Sequence, residues 1–452
     1  MAKTVDLLSG GVARTLLVFA APLFLANLCQ TLYNIVDLII VGQFVGSEGI
    51  SGVSVGTDLT HFVLFLSMGL STAGQVIISQ KLGAGQDQEA RTFTGTFFAA
   101  AFVCASAITA VFVFGCNIAL DLMNTPSEAR EAAFVYTIVC MCGMPCVYLY
   151  NAISALFRSH GDSKRPLYFT LVASVVNLLL DLLLIVALGW GVLGAAVATV
   201  VGQVVSFAGS AIFLYRNQDA YGFEVSRQSF RIDGRCLKAL VKLGVPMALQ
   251  SASVSFSKVF VSAWINSYGL YASAATGVAW RFGQFAHLYS FSVSSASSVM
   301  IGHAIGARDE SRVKRIISVA LGIVSACSLA IIVFILVFPE APFRLFTSDP
   351  AVLAVCAEYL PILVLDFVLV ALRCPMLATI NGVGKAGLNL AVAIIDGPLL
   401  RIGLGLVLGW AAGMGYFGFW LGSSLAGATP ALVGGAYLAF LALTHRGLVK
   451  AE

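Results

Sequence analysis

Charge is what this sequence has least of. Only 11% of its 452 residues are Asp, Glu, Lys or Arg, against 59% hydrophobic, and the mean hydropathy is +0.93. Soluble domains carry about 25% charged residues, so a soluble globular chain is excluded and a polytopic helical membrane protein is expected. Segments of about ten residues alternating in polarity, the mark of a β-barrel, are missing. Several enzyme and channel signatures are missing too. Gly382-Val383-Gly384-Lys385-Ala386 lacks the earlier glycine and the Ser/Thr of a phosphate-binding loop, which argues against ATP drive. There is no Asp-rich motif to hold a Mg²⁺-bound prenyl diphosphate and no potassium-filter sequence. The ten cysteines lie mostly in apolar runs. Cys140, Cys142 and Cys146 share one such run with no His near them, so they read as packing residues and not metal ligands. No catalytic group, cofactor or nucleic-acid partner is implied.

What is there is a series of long apolar runs. Twelve can be marked, at 14–43, 53–80, 92–117, 131–155, 167–189, 192–215, 243–266, 272–302, 313–338, 352–379, 387–410 and 416–443. Those above 25 residues exceed a bilayer core and imply tilt or extension beyond it. The first is too long, and lacks the small-residue site, for a cleaved signal peptide. Twenty of the 26 Lys and Arg residues, from Lys3 and Arg14 to Arg446 and Lys450, fall in alternate connections, whereas the other connections hold only Arg130 and Arg344. The positive-inside rule then places both termini in the cytoplasm; a bacterial plasma membrane is the expected location.

The longest connection, 216–242, is polar and basic and lies near mid-chain, which suggests a linker between repeats. Landmarks recur across it. Leu82-Gly83-Ala84-Gly85 returns as Ile305-Gly306-Ala307-Arg308, and Gly191-Val192-Leu193-Gly194 as Gly415-Tyr416-Phe417-Gly418. Lys164 matches Lys385, Tyr136 matches Tyr359, and Pro22 matches Pro246. With six runs in each half, both insert in the same orientation. The expected architecture is all-α, with twelve transmembrane helices in two pseudo-symmetric six-helix bundles, 1–215 and 243–452, around a central cleft. That shape suits alternating access better than a fixed pore.

Ionisable residues inside the runs carry the functional signal, because each costs about 2.5–3.5 kcal/mol on insertion scales unless something compensates it. In the fifth run, Asn177 and Asp181 lie one turn apart on one helix face. In the first, Gln30, Tyr33, Asn34 and Asp37 share a face, and Pro22 can kink the helix as a hinge. In the sixth, Thr199 and Gln203 form another such pair, and Tyr136 and Asn151 are polar points in the fourth. The first half therefore holds acids without bases in these runs, with Asp58 and His61 three residues apart as a further candidate relay. The second half mixes Lys258, Arg281, Glu358, Asp366, Arg373, Asp396 and Arg401. Pairing of Asp396 or Asp366 with Arg401 or Lys258 would compensate those charges internally, and Arg373 can snorkel. Two carboxylates, an amide oxygen and a hydroxyl suit a hard cation. The same two carboxylates, if close, would also hold a proton. The residues leave Na⁺ and H⁺ equally open, and the plainer alternative is polar glue between helices.

The stretch from Pro22 through Gln30-Thr31-Leu32-Tyr33-Asn34-Ile35-Val36-Asp37 to Val41-Gly42 resembles the opening helix of the multidrug and toxic compound extrusion (MATE) family, in its prokaryotic form. The doubled six-helix plan is similar over essentially the whole chain. The resemblance implies a cation site at Asp37, Asn177, Asp181 and Thr199, with Tyr33, Tyr136 and Asn151 around it. One branch of the family carries acids in the seventh and tenth spans, whereas here the seventh has Lys258 and Asp366 is displaced. The expected function is a monomeric, cation-coupled antiporter, driven by H⁺ or Na⁺, that exports amphipathic organic cations, with lipids, substrate and coupling ion as its only partners. The alternatives are a lipid-linked saccharide flippase, for which Lys258, Arg281 and Arg401 would bind pyrophosphate, and a membrane scaffold that transports nothing.

Overall fold

Apolar runs of this length can satisfy their backbone hydrogen bonds in lipid only as helices. The computed structural model describes residues 5–123, 125–444 and 447–448, with backbone alone at Leu38, Ser47 and Glu48, and these residues form helices and turns with no strand. Lys3, Arg446 and Lys450, which entered the charge-based orientation, lie outside the described residues. The first half comprises α1 (Val12–Phe44), α2 (Ser47–Gly83), α3 (Asp87–Leu122), α4 (Arg130–Ser159), α5 (Lys164–Asp181) and α6 (Gly191–Arg216). The second comprises α7 (Gly234–Asn266), α8 (Leu270–Ala286), α9 (Leu288–Gly306), α10 (Glu310–Val337), α11 (Ala341–Arg344), α12 (Pro350–Val383), α13 (Ala386–Ile394), α14 (Gly403–Leu406), α15 (Gly415–Ala426) and α16 (Thr429–Leu443). Among the described residues, eleven helical stretches are long and apolar enough to cross a membrane. The remaining apolar run, 272–302, is split into α8 and α9 at His287.

Both halves loosen the same span. α5 runs on past Asp181 as a π-helical stretch, Leu182–Ala187. In the second half α13 continues into a π-helical stretch, Ile395–Ile402, which contains Pro398, Asp396 and Arg401. Pro398 supplies a cause there, since it has no N–H to give the ladder. π-Helical turns occur often at functional sites.

By its packing the chain forms two compact units. The first holds residues 1–5, 25–82 and 86–245, and the second holds residues 6–24, 83–85 and 246–452. In the first unit α4 packs between α3 and α6, and α5 lies on α6. One apolar cluster joins Val63, Ala105, Met141, Met144 and Tyr148, and the Tyr148 hydroxyl donates to the Val63 carbonyl at 2.8 Å. The basic connection before α7 is not a loose tether. Its Tyr221 is buried and donates to Asp162 Oδ2 at 2.8 Å, and the Asp233 N–H donates to Thr96 Oγ1 at 3.0 Å.

In the second unit α12 is the central helix, touching α8, α9, α10, α15 and α16. Its core gathers Phe343, Cys356, Ile362, Phe367, Phe419 and Trp420. Trp420 is fixed by its indole N–H to Thr276 Oγ1 at 2.9 Å and by edge contacts with Tyr359 and Tyr416.

Candidate functional site

The geometry of the first-unit site follows from one apolar cluster. Ile40 and Val41 of α1, Val53 of α2, Tyr136 and Cys140 of α4, Ile185 of the π-helical stretch, and Ala195 and Ala196 of α6 pack together. One helical turn from these anchors stand Asp37, Asp181 and Thr199, at the four-residue spacing that puts side chains on one face. The cluster thus carries the polar residues of three spans to one place. Small residues allow the close approach. A Cβ on Gly202 would come within 3.2 Å of both the Asn177 Cβ and the Ala173 carbonyl, and a Cβ on Gly56 would strike the Tyr136 ring.

Within the site, the carboxyls of Asp37 and Asp181 lie within hydrogen-bonding reach of each other. Asp181 is fully buried. Oδ1 of each acid is buried with no partner among the described residues. Asn177, one turn before Asp181, fixes the second oxygen: its amide nitrogen donates to Asp181 Oδ2 at 3.2 Å, and its amide oxygen accepts from the Thr199 N–H at 3.2 Å. In this arrangement Asn177 positions Asp181, and its oxygen is engaged by α6. Tyr33 and Tyr136 lie within electrostatic range of Asp37. The Tyr136 hydroxyl accepts a long bond from Thr57 Oγ1, 3.5 Å. No basic side chain among the described residues acts on either carboxyl. The oxygen of Gln203, one turn past Thr199, is also buried without a partner.

Two facing carboxyls without a base are stable only if a proton or a cation lies between them; two bare charges 4 Å apart repel by about 4 kcal/mol at an effective dielectric of 20. The free donors are all oxygen, the set a hard cation takes. Among the described residues no group of three or more His, Cys, Asp or Glu gathers anywhere.

The structure brings together Asp37, Asn177, Asp181, Thr199, Tyr33 and Tyr136. Asn151 stands elsewhere, since fifteen residues along α4 from Tyr136 is about 22 Å, and its amide donates to Ser67 Oγ of α2 at 3.1 Å. Pro22 lies inside α1, two residues before the helix passes from the second unit to the first.

In the second unit, Arg401 and Asp396 are both buried and paired at 2.6 Å, with a further guanidinium bond to Ser423 at 2.9 Å. That is one of the internal pairs expected from the sequence, and it consumes one of the bases a pyrophosphate cavity would need. Asp366 pairs not with Lys258 or Arg401 but with His287, at 2.7 Å. The sequence reading did not single out His287, although it is an imidazole in the middle of an apolar run, and that was the available signal. Arg373 does not simply snorkel: its guanidinium lies against Gly427 and within electrostatic range of Asp366. Glu358, near a span end, accepts from the Tyr416 hydroxyl at 2.6 Å.

A family model described as MatE matches residues 22–183 and again residues 246–407. The second match is displaced from the first by 224 residues, at the spacing of the sequence landmarks. The Bacillus subtilis protein named "Probable multidrug resistance protein YoeA" is 26% identical over 436 residues, which is 95% of this chain and 94% of its own. A Geobacillus kaustophilus protein named "Probable multidrug resistance protein NorM" is 26% identical over 93% of each chain. A solved structure, described as the outward-facing conformation of a multidrug resistance MATE family transporter, superposes with a TM-score of 0.90 over 98% of this chain and 99% of its own. At 24% identity that likeness shows the fold.

Proposed function

The chain belongs to the MatE family, the multidrug and toxic compound extrusion transporters, and on that premise we propose that it is a cation-coupled antiporter that exports amphipathic organic cations by alternating access. One observation carries the reading: the Asp37 and Asp181 carboxyls lie within hydrogen-bonding reach of each other, each keeps a buried oxygen without a partner, and no base among the described residues acts on either. The pair attracts one cation and repels itself without one. H⁺ or Na⁺ entering from outside converts that repulsion into attraction between α1 and α5. A ligand can shift a conformational equilibrium only by its difference in affinity for the two states, and this change of sign supplies the difference. Pro22 removes a ladder bond from α1 and gives it a place to bend. Organic cations leave because the same charge deficit cannot hold both them and the coupling ion.

The drive is sufficient. One charge moved through about 100 mV supplies about 2.3 kcal/mol, roughly a fifty-fold gradient. The distribution of Lys and Arg supports an orientation with both termini in the cytoplasm. Efflux of a fluorescent organic cation from proteoliposomes, under an imposed pH gradient, an imposed Na⁺ gradient or neither, tests the proposal and identifies the ion. Equal efflux under all three conditions would sink it.

A further inference from the structure

The second unit holds a titratable pair that the proposed exchange does not use. Its eighth span carries a one-residue joint: α8 ends at Ala286, α9 begins at Leu288, and His287 lies between them. The joint is well made, since the His287 N–H donates to the Gly283 carbonyl at 2.9 Å and its own carbonyl accepts from the Phe291 N–H at 3.1 Å and the Ser290 hydroxyl at 2.8 Å. The imidazole leans on the Phe367 ring and places Nε2 2.7 Å from Asp366 Oδ2. Nδ1 is buried and has no partner among the described residues.

That arrangement fixes the tautomer. Facing a carboxylate, Nε2 must carry the hydrogen and donate it, which leaves the Nδ1 lone pair as the one acceptor with nothing to accept.

We propose that His287, oriented by Asp366, is a second proton-binding site of this transporter, loading a proton at Nδ1 and releasing it during the cycle. The inference rests on the transport reading but is independent of which ion the first unit takes. Loading turns the imidazole into an imidazolium held by Asp366, and release restores the neutral ring; no other bond changes.

The surroundings are specified. α12 contributes Asp366 itself, Arg373 and Tyr359, and α7 contributes Lys258, all within electrostatic range of Asp366. α9 contributes Tyr289, whose hydroxyl is tied to Ser328 of α10 at 2.6 Å. The Asp396–Arg401 pair is closed on itself. α8 carries Arg281, which is exposed, and α11 keeps Arg344 in an exposed pair with Glu340. Asp366 is thus the one acid given to His287, and the bases around it oppose a second positive charge.

Two measurements decide the matter. The first is the dissociation constant of a fluorescent organic cation for purified protein across pH 5 to 8, for the parent, His287→Gln, Asp366→Asn and Asp181→Asn. Glutamine can still donate to Asp366 but cannot load a proton. A binding constant linked to one proton changes up to about tenfold per pH unit, so His287→Gln should flatten the profile by up to that slope, and Asp181→Asn should leave the His287 share in place. The second is a histidine NMR titration, with the resonance assigned by its loss in His287→Gln. It should titrate within that range and move in Asp366→Asn. An unchanged profile in His287→Gln, or a His287 resonance that does not titrate, overturns the proposal. Unaltered coupled efflux in Asp181→Asn would instead overturn the first-unit site, and the His287 titration would still be readable.

Discussion

The two units are copies of one repeat, yet they treat intramembrane charge in opposite ways. The first sets Asp37 against Asp181 with no base among the described residues acting on either. The second closes Asp396 on Arg401 at 2.6 Å and Asp366 on His287 at 2.7 Å. The landmark spacing carries Asp181 to within a residue or so of Arg401 and Asp37 to within a residue or so of Lys258, so bases stand near the second-half counterparts of the first-half acids. A bundle that compensates its own charges gains structure from them. A bundle that leaves two acids uncompensated must take the missing charge from solution, and that need is what an exchanger uses. The difference puts the uncompensated acids in the first unit, whereas the second holds a closed ion pair in Asp396–Arg401 and an oriented imidazole in His287.

Breaking the comparison at its strongest point means removing the charge deficit. Asp181→Asn should abolish cation-driven efflux while the protein inserts and folds normally, as measured by gradient-driven dye efflux and by size-exclusion behaviour. Unchanged coupling would end the assignment. Stability should divide the units as sharply. Arg401→Ala leaves the buried Asp396 without its partner and should cost about 3–5 kcal/mol, whereas Asp37→Asn relieves a repulsion and should cost little or stabilise. Thermal unfolding in one detergent compares them directly. A similar loss in both variants would mean that the first-unit acids are also structural.

Pro22→Ala sharpens the comparison by leaving the site intact and stiffening the helix that carries it. Restoring the missing ladder bond should slow turnover several-fold while substrate binding changes less, read as efflux rate against dissociation constant. Lost binding with normal turnover of bound substrate would refute a hinge at this position.

Much of this was legible in the sequence because ionisable residues stand out in apolar runs. The twelve runs, the repeat spacing and the Asn177/Asp181 pair needed only hydropathy and the four-residue helical spacing. The break at His287 was not legible, because apolar sequence continues across 272–302 and a single joint leaves hydropathy unchanged. The partner of Asp366 was misplaced for a related reason. Charge alone nominated Lys258 or Arg401, but the choice among bases is made by which helices pack together, and α8 and α9 lie against α12. Asn151 shows the limit of a shared helix: it lies on the same span as Tyr136 but about four turns away, where Ser67 takes its amide. The role of Asn177 also depended on packing. Its spacing from Asp181 was visible, whereas the Thr199 N–H that engages its oxygen came from α6.

The smallest expected effect tests how narrow the first-unit site is. The Tyr136 hydroxyl has only a 3.5 Å contact with Thr57 Oγ1, long for a hydrogen bond, whereas its ring is buried over Gly56. Tyr136→Phe keeps the ring and should change the coupling-ion concentration for half-maximal efflux by less than the equivalent of about 1 kcal/mol. Tyr136→Ala empties the space over Gly56 and should destabilise the unit by about 3–5 kcal/mol, as aromatic-to-alanine changes in cores do. If Tyr136→Phe alone abolished coupling, the hydroxyl would be a ligand of the ion. The site would then be a wider oxygen cage, and the contrast between a bare carboxyl pair and a self-compensated one would have to be redrawn.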